Sequence, residues 1–82
     1  MSERELNRGR RADKKQLLRR LEMRATSMIA QIRRDLGGGY VESIQDLKVE
    51  RAQRTMEDLK EVVQEARTLA TQIDELNRLI DG

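Results

Sequence analysis

Residues 36–40 read Leu-Gly-Gly-Gly-Tyr, and the three consecutive glycines decide the fold. Glycine inside a helix costs about 1 kcal/mol relative to alanine, so a run of three ends a helix. Glycine also adopts the left-handed backbone conformations that a tight reversal requires. Because no comparable break occurs between Arg10 and the C-terminus, the run at 37–39 predicts a turn between two helices.

The segments on either side of the glycines both have helical periodicity. In residues 18–32, apolar side chains recur at alternating steps of three and four, the spacing typical of coiled coils. Residues 59–80 show the same spacing, and a second apolar row runs beside it over residues 49–73. This wider stripe is typical of a helix that contacts two neighbours, as in a four-helix bundle.

These patterns predict an all-α fold: an antiparallel helical hairpin with coiled-coil-like packing that assembles into a helical bundle. Ser2 followed by Glu5 fits the capping box of a helix start, but Gly9 and the scarcity of apolar side chains before Leu17 favour a later start. We expect one domain over residues 1–82. Its parts are a basic N-terminal arm at 1–11, helix 1 at 12–36, a glycine turn at 37–39 and helix 2 at 40–80.

Composition limits the functions available to the chain. It has 82 residues, a formal net charge of +2, and neither cysteine nor histidine. The missing thiols and imidazoles remove the usual zinc ligands, nucleophiles and general bases, so we expect no metal site, no cofactor and no enzymatic activity. No apolar stretch approaches the roughly 20 residues of a membrane span. We therefore expect a cytoplasmic protein. We also expect no binding to membrane surfaces, because the most basic stretch, residues 4–15, has almost no apolar face.

Charge divides the chain at the same place as the glycines. Residues 1–36 hold 11 Lys and Arg against 5 Asp and Glu, net +6, whereas residues 37–82 hold 6 against 10, net −4. If the chain folds back about Gly38, residue n lies level with residue 76 − n. A basic and an acidic ridge then come level; they consist of Arg11, Lys15 and Arg19, and of Glu57, Glu61 and Glu65. We expect these charges to set helix orientation, since exposed ion pairs contribute only about 0–1 kcal/mol each.

The apolar stripe of helix 2 predicts that the protein self-associates. A helix 1 that starts near Ala12 covers helix 2 only as far as about Gln64, so the rest of the apolar stripe lacks an intrachain partner. Such an exposed stripe usually marks an interaction site, and most soluble oligomers are symmetric homo-oligomers. The alternatives are a frayed end of helix 2 or a helix 1 that extends further toward the N-terminus. We expect a homo-oligomer, most simply a dimer, with an unidentified protein as the other candidate partner. The expected interface consists of Ala66, Leu69, Ala70, Ile73, Leu76 and Ile80.

The alternative function is that of a small nucleic-acid-binding regulator. Clusters of Lys and Arg attract phosphates through charge and counterion release. The candidate contacts are Arg4, Arg8, Arg10, Arg11, Lys14 and Lys15. No aromatic residue lies among them to stack on bases, and the acidic second half would repel a phosphate backbone. The predicted shape resembles that of Rop-type helical-hairpin dimers, in which one face of the bundle binds RNA. We favour a non-enzymatic protein-interaction module.

Overall fold

The computed structural model describes residues 2–37 and 43–81 and confirms the all-helical hairpin. Helix α1 spans Glu3–Asp35 and helix α2 spans Val49–Asp81, and a 3₁₀ turn at Ile44–Asp46 precedes α2. The described residues contain no β-strand. The molecule is a rod of 61 × 17 × 14 Å. With only two helices side by side, side chains become buried where α1 faces α2.

Helix α1 begins at Glu3, so the arm expected at residues 1–11 is helical from Glu3 onwards. The Ser2 hydroxyl accepts a hydrogen bond from the Glu5 backbone N–H at 3.2 Å, which caps the helix start. Gly9 lies within α1, and a Cβ built on it meets nothing within 4 Å. The expected start at Ala12 is wrong because the first turns of α1 pack against α2, and this packing outweighs the cost of about 1 kcal/mol for one glycine.

Helix α1 ends beside the glycine run, as the sequence predicts. Gly37 has φ = 79°, the left-handed conformation that terminates a helix without steric cost only in glycine. A Cβ added there would lie 3.6 Å from the Leu47 Cδ2 atom, an ordinary contact, so the backbone conformation is what requires glycine. Residues 38–42, which include Gly38, Gly39 and Tyr40, lie outside the described residues.

Helix α2 begins at Val49, later than the expected start at residue 40. Residues 43–48 form the 3₁₀ turn and its non-helical flanks instead of the first turns of the helix. Ser43, directly before the 3₁₀ turn, makes no side-chain capping bond. The Lys48 backbone N–H donates to the Asp35 carbonyl oxygen at 3.0 Å and ties this segment to the end of α1.

The later start of α2 changes which residues lie opposite each other. Asp35 bonds to Arg51, and Lys14 bonds to Gln72, so residue n lies level with residue 86 − n instead of 76 − n. The expected alignment of the basic ridge with the acidic ridge is therefore wrong. The N-terminal turns of α1 now lie beside the C-terminal turns of α2.

Each helix turns one row of side chains toward the other, and we call the two rows the seam. Seam residues are buried or half-buried and recur at alternating steps of three and four. On α1 they are Asn7, Arg11, Lys14, Leu18, Leu21, Ala25, Met28, Ile32 and Asp35. On α2 they are Ala52, Thr55, Leu59, Val62, Ala66, Leu69, Ile73, Leu76 and Ile80. The α2 row is almost wholly apolar, whereas the α1 row is polar at both ends.

Candidate protein-interaction site

Most side chains of the expected oligomer interface are buried within a single chain. Four of the six are at most 8% exposed: Leu69, Ile73, Leu76 and Ile80. All four lie in the seam, where α1 covers them because it extends to Glu3. The premise that this part of α2 lacks an intrachain partner is therefore wrong. The remaining two behave differently, since Ala66 is half-buried and Ala70 is exposed.

Long polar side chains of α1 provide this cover. Arg11 Nη1 donates to Asn77 Oδ1 at 2.9 Å and lies 3.5 Å from Asp81 Oδ2. Lys14 Nζ donates to Gln72 Oε1 at 2.8 Å. Only 24% of the Arg11 side chain is exposed, so its aliphatic stem contributes apolar surface while its charged end reaches polar partners. The sequence pattern treats these residues as solvated, and that is why it misses the contact.

The six basic residues considered for nucleic-acid contact all lie on α1. They divide into two groups. Two are half-buried in the seam and bonded to α2: Arg11 and Lys14. Four are exposed: Arg4, Arg8, Arg10 and Lys15. The structure thus brings the six together on one helical segment but leaves only four of them accessible to a phosphate.

A buried carboxylate joins the helices at the turn end. Asp35 is 3% exposed, and its Oδ1 accepts hydrogen bonds from Arg51 Nε at 2.9 Å, from Arg51 Nη2, and from Gln31 Nε2 at 3.0 Å. The bonds from Arg51 hold the pKa of Asp35 below its ordinary value. The Oδ2 atom is buried without a hydrogen-bond partner among the described residues. Sequence analysis missed Asp35, although its place seven residues after Met28 is a signal that it belongs to the seam.

One side of the hairpin carries exposed apolar side chains on both helices. Leu36, Val49 and Met56 line one groove on this side. Val63 and Ala70 line a second groove with seam residues of both helices. Ile29 lies two helical turns before Leu36 and therefore on the same side of α1. We call this surface the apolar face; it consists of Ile29, Leu36, Val49, Met56, Val63 and Ala70.

The apolar face combines protruding side chains with shallow grooves. Exposed fractions are 41% for Ile29, 42% for Leu36, 50% for Val49 and 52% for Met56. Small seam residues line the grooves between these side chains: Ala25, Ala52 and Ala66. An alanine seam leaves room above it for a large side chain from another molecule, which is the arrangement by which helices interdigitate.

The opposite side of the hairpin is mainly polar, although Leu17 and Leu79 are exposed on it. The bonds from Lys14 to Gln72 and from Arg51 and Gln31 to Asp35 bridge the two helices there. Sequence analysis grouped the apolar residues of α2 into one wide stripe and did not separate the part that faces α1 from the part that faces outward. The register of the hairpin makes that separation.

Comparison of the chain with known protein families, characterised proteins and solved structures finds no match. Neither α1 nor α2 has a stretch that is long and apolar enough to cross a membrane. Within residues 2–37 and 43–81, no three acidic side chains are grouped so that they could hold a metal ion.

Proposed function

We propose that the protein is a non-enzymatic helical interaction module that self-associates through the apolar face. The supporting observation is the row of large apolar side chains, 41–52% exposed, on one side of the hairpin. Fully burying a side chain of this size is worth about 1.5–3 kcal/mol. A second copy presents the same surface, and symmetric pairing is the commonest form of oligomer. This surface replaces the interface expected from the sequence; it shares Ala70 with that interface, and Ala66 lines one of its grooves.

The apolar face has both the protruding side chains and the grooves that a dimer of hairpins needs. In such a dimer, Ile29 and Met56 of one copy would enter the grooves above Ala25 and Ala52 of the other. The seam residues that are half-buried in the single hairpin, such as Leu59, would become fully enclosed. The product is a four-helix bundle in which each helix touches two neighbours, the situation that the wide apolar stripe of α2 predicts.

Replacing Met56 by glutamate tests the proposal. Met56→Glu should convert the protein toward monomer, because the new carboxylate would be buried without a partner in the dimer. The single hairpin should stay folded, since Met56 is 52% exposed within it and glutamate forms helices about as well as methionine. Sedimentation equilibrium at tens of micromolar gives the mass, and circular dichroism gives the helical content.

Met23→Glu is the matched control. Met23 is 72% exposed on α1, away from the grooves, and receives the same substitution. Its mass should equal that of the unmodified protein. A monomeric unmodified protein, or equal masses for Met56→Glu and the parent dimer, would refute self-association through this face. A monomer would also make a different protein the occupant to search for.

Nucleic-acid binding remains the alternative function, and the structure offers it limited support. The exposed cations of α1 project from a rigid helix, which favours phosphate contact, but they point to several sides of it. Acidic side chains of α2 lie beside the same end of the hairpin, among them Asp74 and Asp81. A salt series with generic duplex DNA or RNA decides this alternative, since a steep fall of affinity with salt reports several phosphate contacts.

A further inference from the structure

We propose that the second copy docks with its turn at the same end of the dimer, so that α1 of each copy lies against α2 of its partner. This inference rests on the proposed self-association and specifies its geometry. Two hairpins that meet face to face have two simple arrangements. A twofold axis parallel to the helices gives the same-end dimer, whereas a perpendicular axis gives an opposite-end dimer in which α1 lies against the partner's α1.

The position of the apolar face along the rod favours the same-end dimer. The face occupies roughly the two-thirds nearer the turn, from about residue 18 to 36 along α1 and its C-terminal end and from 49 to 70 on α2. Beyond it, the same side carries Lys15 and the bond between Arg11 and Asn77. Same-end docking superimposes the two apolar parts completely. Opposite-end docking along the full length would overlap them only in the middle third and set the rest of each against the polar end of the other copy.

The contact area disfavours a shifted opposite-end dimer. Sliding the copies until only their apolar parts overlap would lose about a third of the contact. The broad side of the hairpin measures 61 × 17 Å, so full overlap offers about 1,000 Å² per copy, against about 800 Å² per partner in a standard stable interface. Full overlap meets this requirement, whereas two-thirds of it, roughly 700 Å², falls below it.

Charge points to the same arrangement. Helix α1 holds 11 Lys and Arg against 5 Asp and Glu, net +6, and α2 holds 5 against 8, net −3. Same-end docking surrounds each basic helix with two acidic ones and places like helices across the diagonal. Opposite-end docking sets the two most basic helices in contact, and like charges in contact disfavour an interface.

Individual charges at the edge of the apolar face also favour the same-end dimer. In the same-end dimer, residue n of one copy again lies level with residue 86 − n of the other. Along the rod axis, Lys15 then lies within about one helical turn of the partner's Asp74. Arg33 likewise lies within about one turn of the partner's Glu57. Glu57 lines a groove of the apolar face, and Arg33 lies one turn from Ile29 on α1.

Spin-label distances test the arrangement. The chain has no cysteine, so a nitroxide attaches only at an engineered position. Gln45→Cys marks the turn end and Glu5→Cys marks the far end; both residues are exposed. In the same-end dimer, each pair of equivalent labels should lie roughly 20–30 Å apart, since only a few helix diameters of 8–10 Å separate them. Pulsed electron–electron resonance on the intact dimer measures both distances.

The outcomes separate the two proposals. Short distances at both positions support the same-end dimer. A dimeric mass with the Glu5→Cys labels about 50 Å apart or more, the length of the 33-residue α1 at about 1.5 Å per residue, overturns this inference but not self-association. A monomeric mass with no dipolar coupling at either position overturns self-association itself, and the inference with it. Charge-neutral label sites elsewhere on the outer surface, such as Ser27→Cys, control for distortion by the label.

Discussion

Among single residues, Asp35 shows how one buried charge ties the two helices together. Its side chain accepts hydrogen bonds from Arg51 and Gln31, and its backbone carbonyl accepts the Lys48 N–H. Arg51, and less strongly the charge of Lys48, lower the pKa of Asp35 in the folded protein. The unfolded chain therefore binds this proton more readily than the folded one. Linkage then requires stability that is fully present above the ordinary pKa range of aspartate and is lost as the pH falls through that range toward the lowered value.

Asp35→Asn should remove this dependence. An amide keeps the shape but loses the charge-assisted bonds, so the melting temperature at neutral pH should fall. The further fall on acidification should be smaller than in the unmodified protein, because the titrating group is gone. Thermal melts followed by circular dichroism at neutral and acid pH measure both effects. Asp58→Asn, which removes an exposed carboxylate of α2, should leave the acid dependence nearly unchanged. An identical acid dependence for both variants would contradict the role given to Asp35.

At the scale of the helices, the two described internal glycines should respond oppositely to alanine. Gly9 lies in an open helical position, so Gly9→Ala should stabilise the protein by about 0.5–1 kcal/mol. Gly37 has a positive φ, so Gly37→Ala should destabilise it by about 1–2 kcal/mol, the cost of a left-handed conformation for a residue with a Cβ. Urea unfolding at one fixed protein concentration gives both differences. Two changes of the same sign would mean that the helix end at Gly37 or the continuous helix at Gly9 has been misassigned.

The two helices also show how much of the fold sequence periodicity can predict. The aliphatic repeats of residues 18–32 and 59–80 are enough to predict two helices and a turn at the glycines. The errors lie at the ends. The second apolar row begins at Val49, the true start of α2, but the absence of a breaker in residues 40–48 extends the predicted helix too far. A hydropathy pattern counts each side chain as either apolar or polar. It counts Arg11 as polar, although the aliphatic part of that side chain helps to cover α2.

The expected start of α1 also determines which residues of α2 are expected to form the interface. With α1 starting near Ala12, Ile73 counts as exposed; with α1 starting at Glu3, Ile73 is 8% exposed within one chain. Ile73 is thus a packing residue, and its partner is α1 of the same chain. Which apolar residues of α2 remain outside depends on the register of the hairpin. That register is set by where α2 begins, a detail that periodicity alone does not determine.

As a whole molecule, the hairpin has a thin core. Among the described residues, eight apolar side chains are buried and none is below 2% exposed. Chains of roughly 80 residues rarely obtain more than about 3–5 kcal/mol from a single core, and many rely on oligomerisation for the rest. A second copy bound to the apolar face would add to the stability of the folded state, because the unfolded chain has no such face.

The melting temperature of the unmodified protein should therefore rise with protein concentration, as mass action requires for a dimer that unfolds to monomers. In Met56→Glu, the melting temperature should be lower and independent of concentration, because the folded hairpin then stands alone. Met23→Glu should keep the concentration dependence. Thermal melts over a hundredfold range of concentration make the comparison, with helical content checked at each point. A melting temperature that stays constant for all three proteins would show that the single hairpin is the stable unit, and the apolar face would then have to serve some partner other than a second copy.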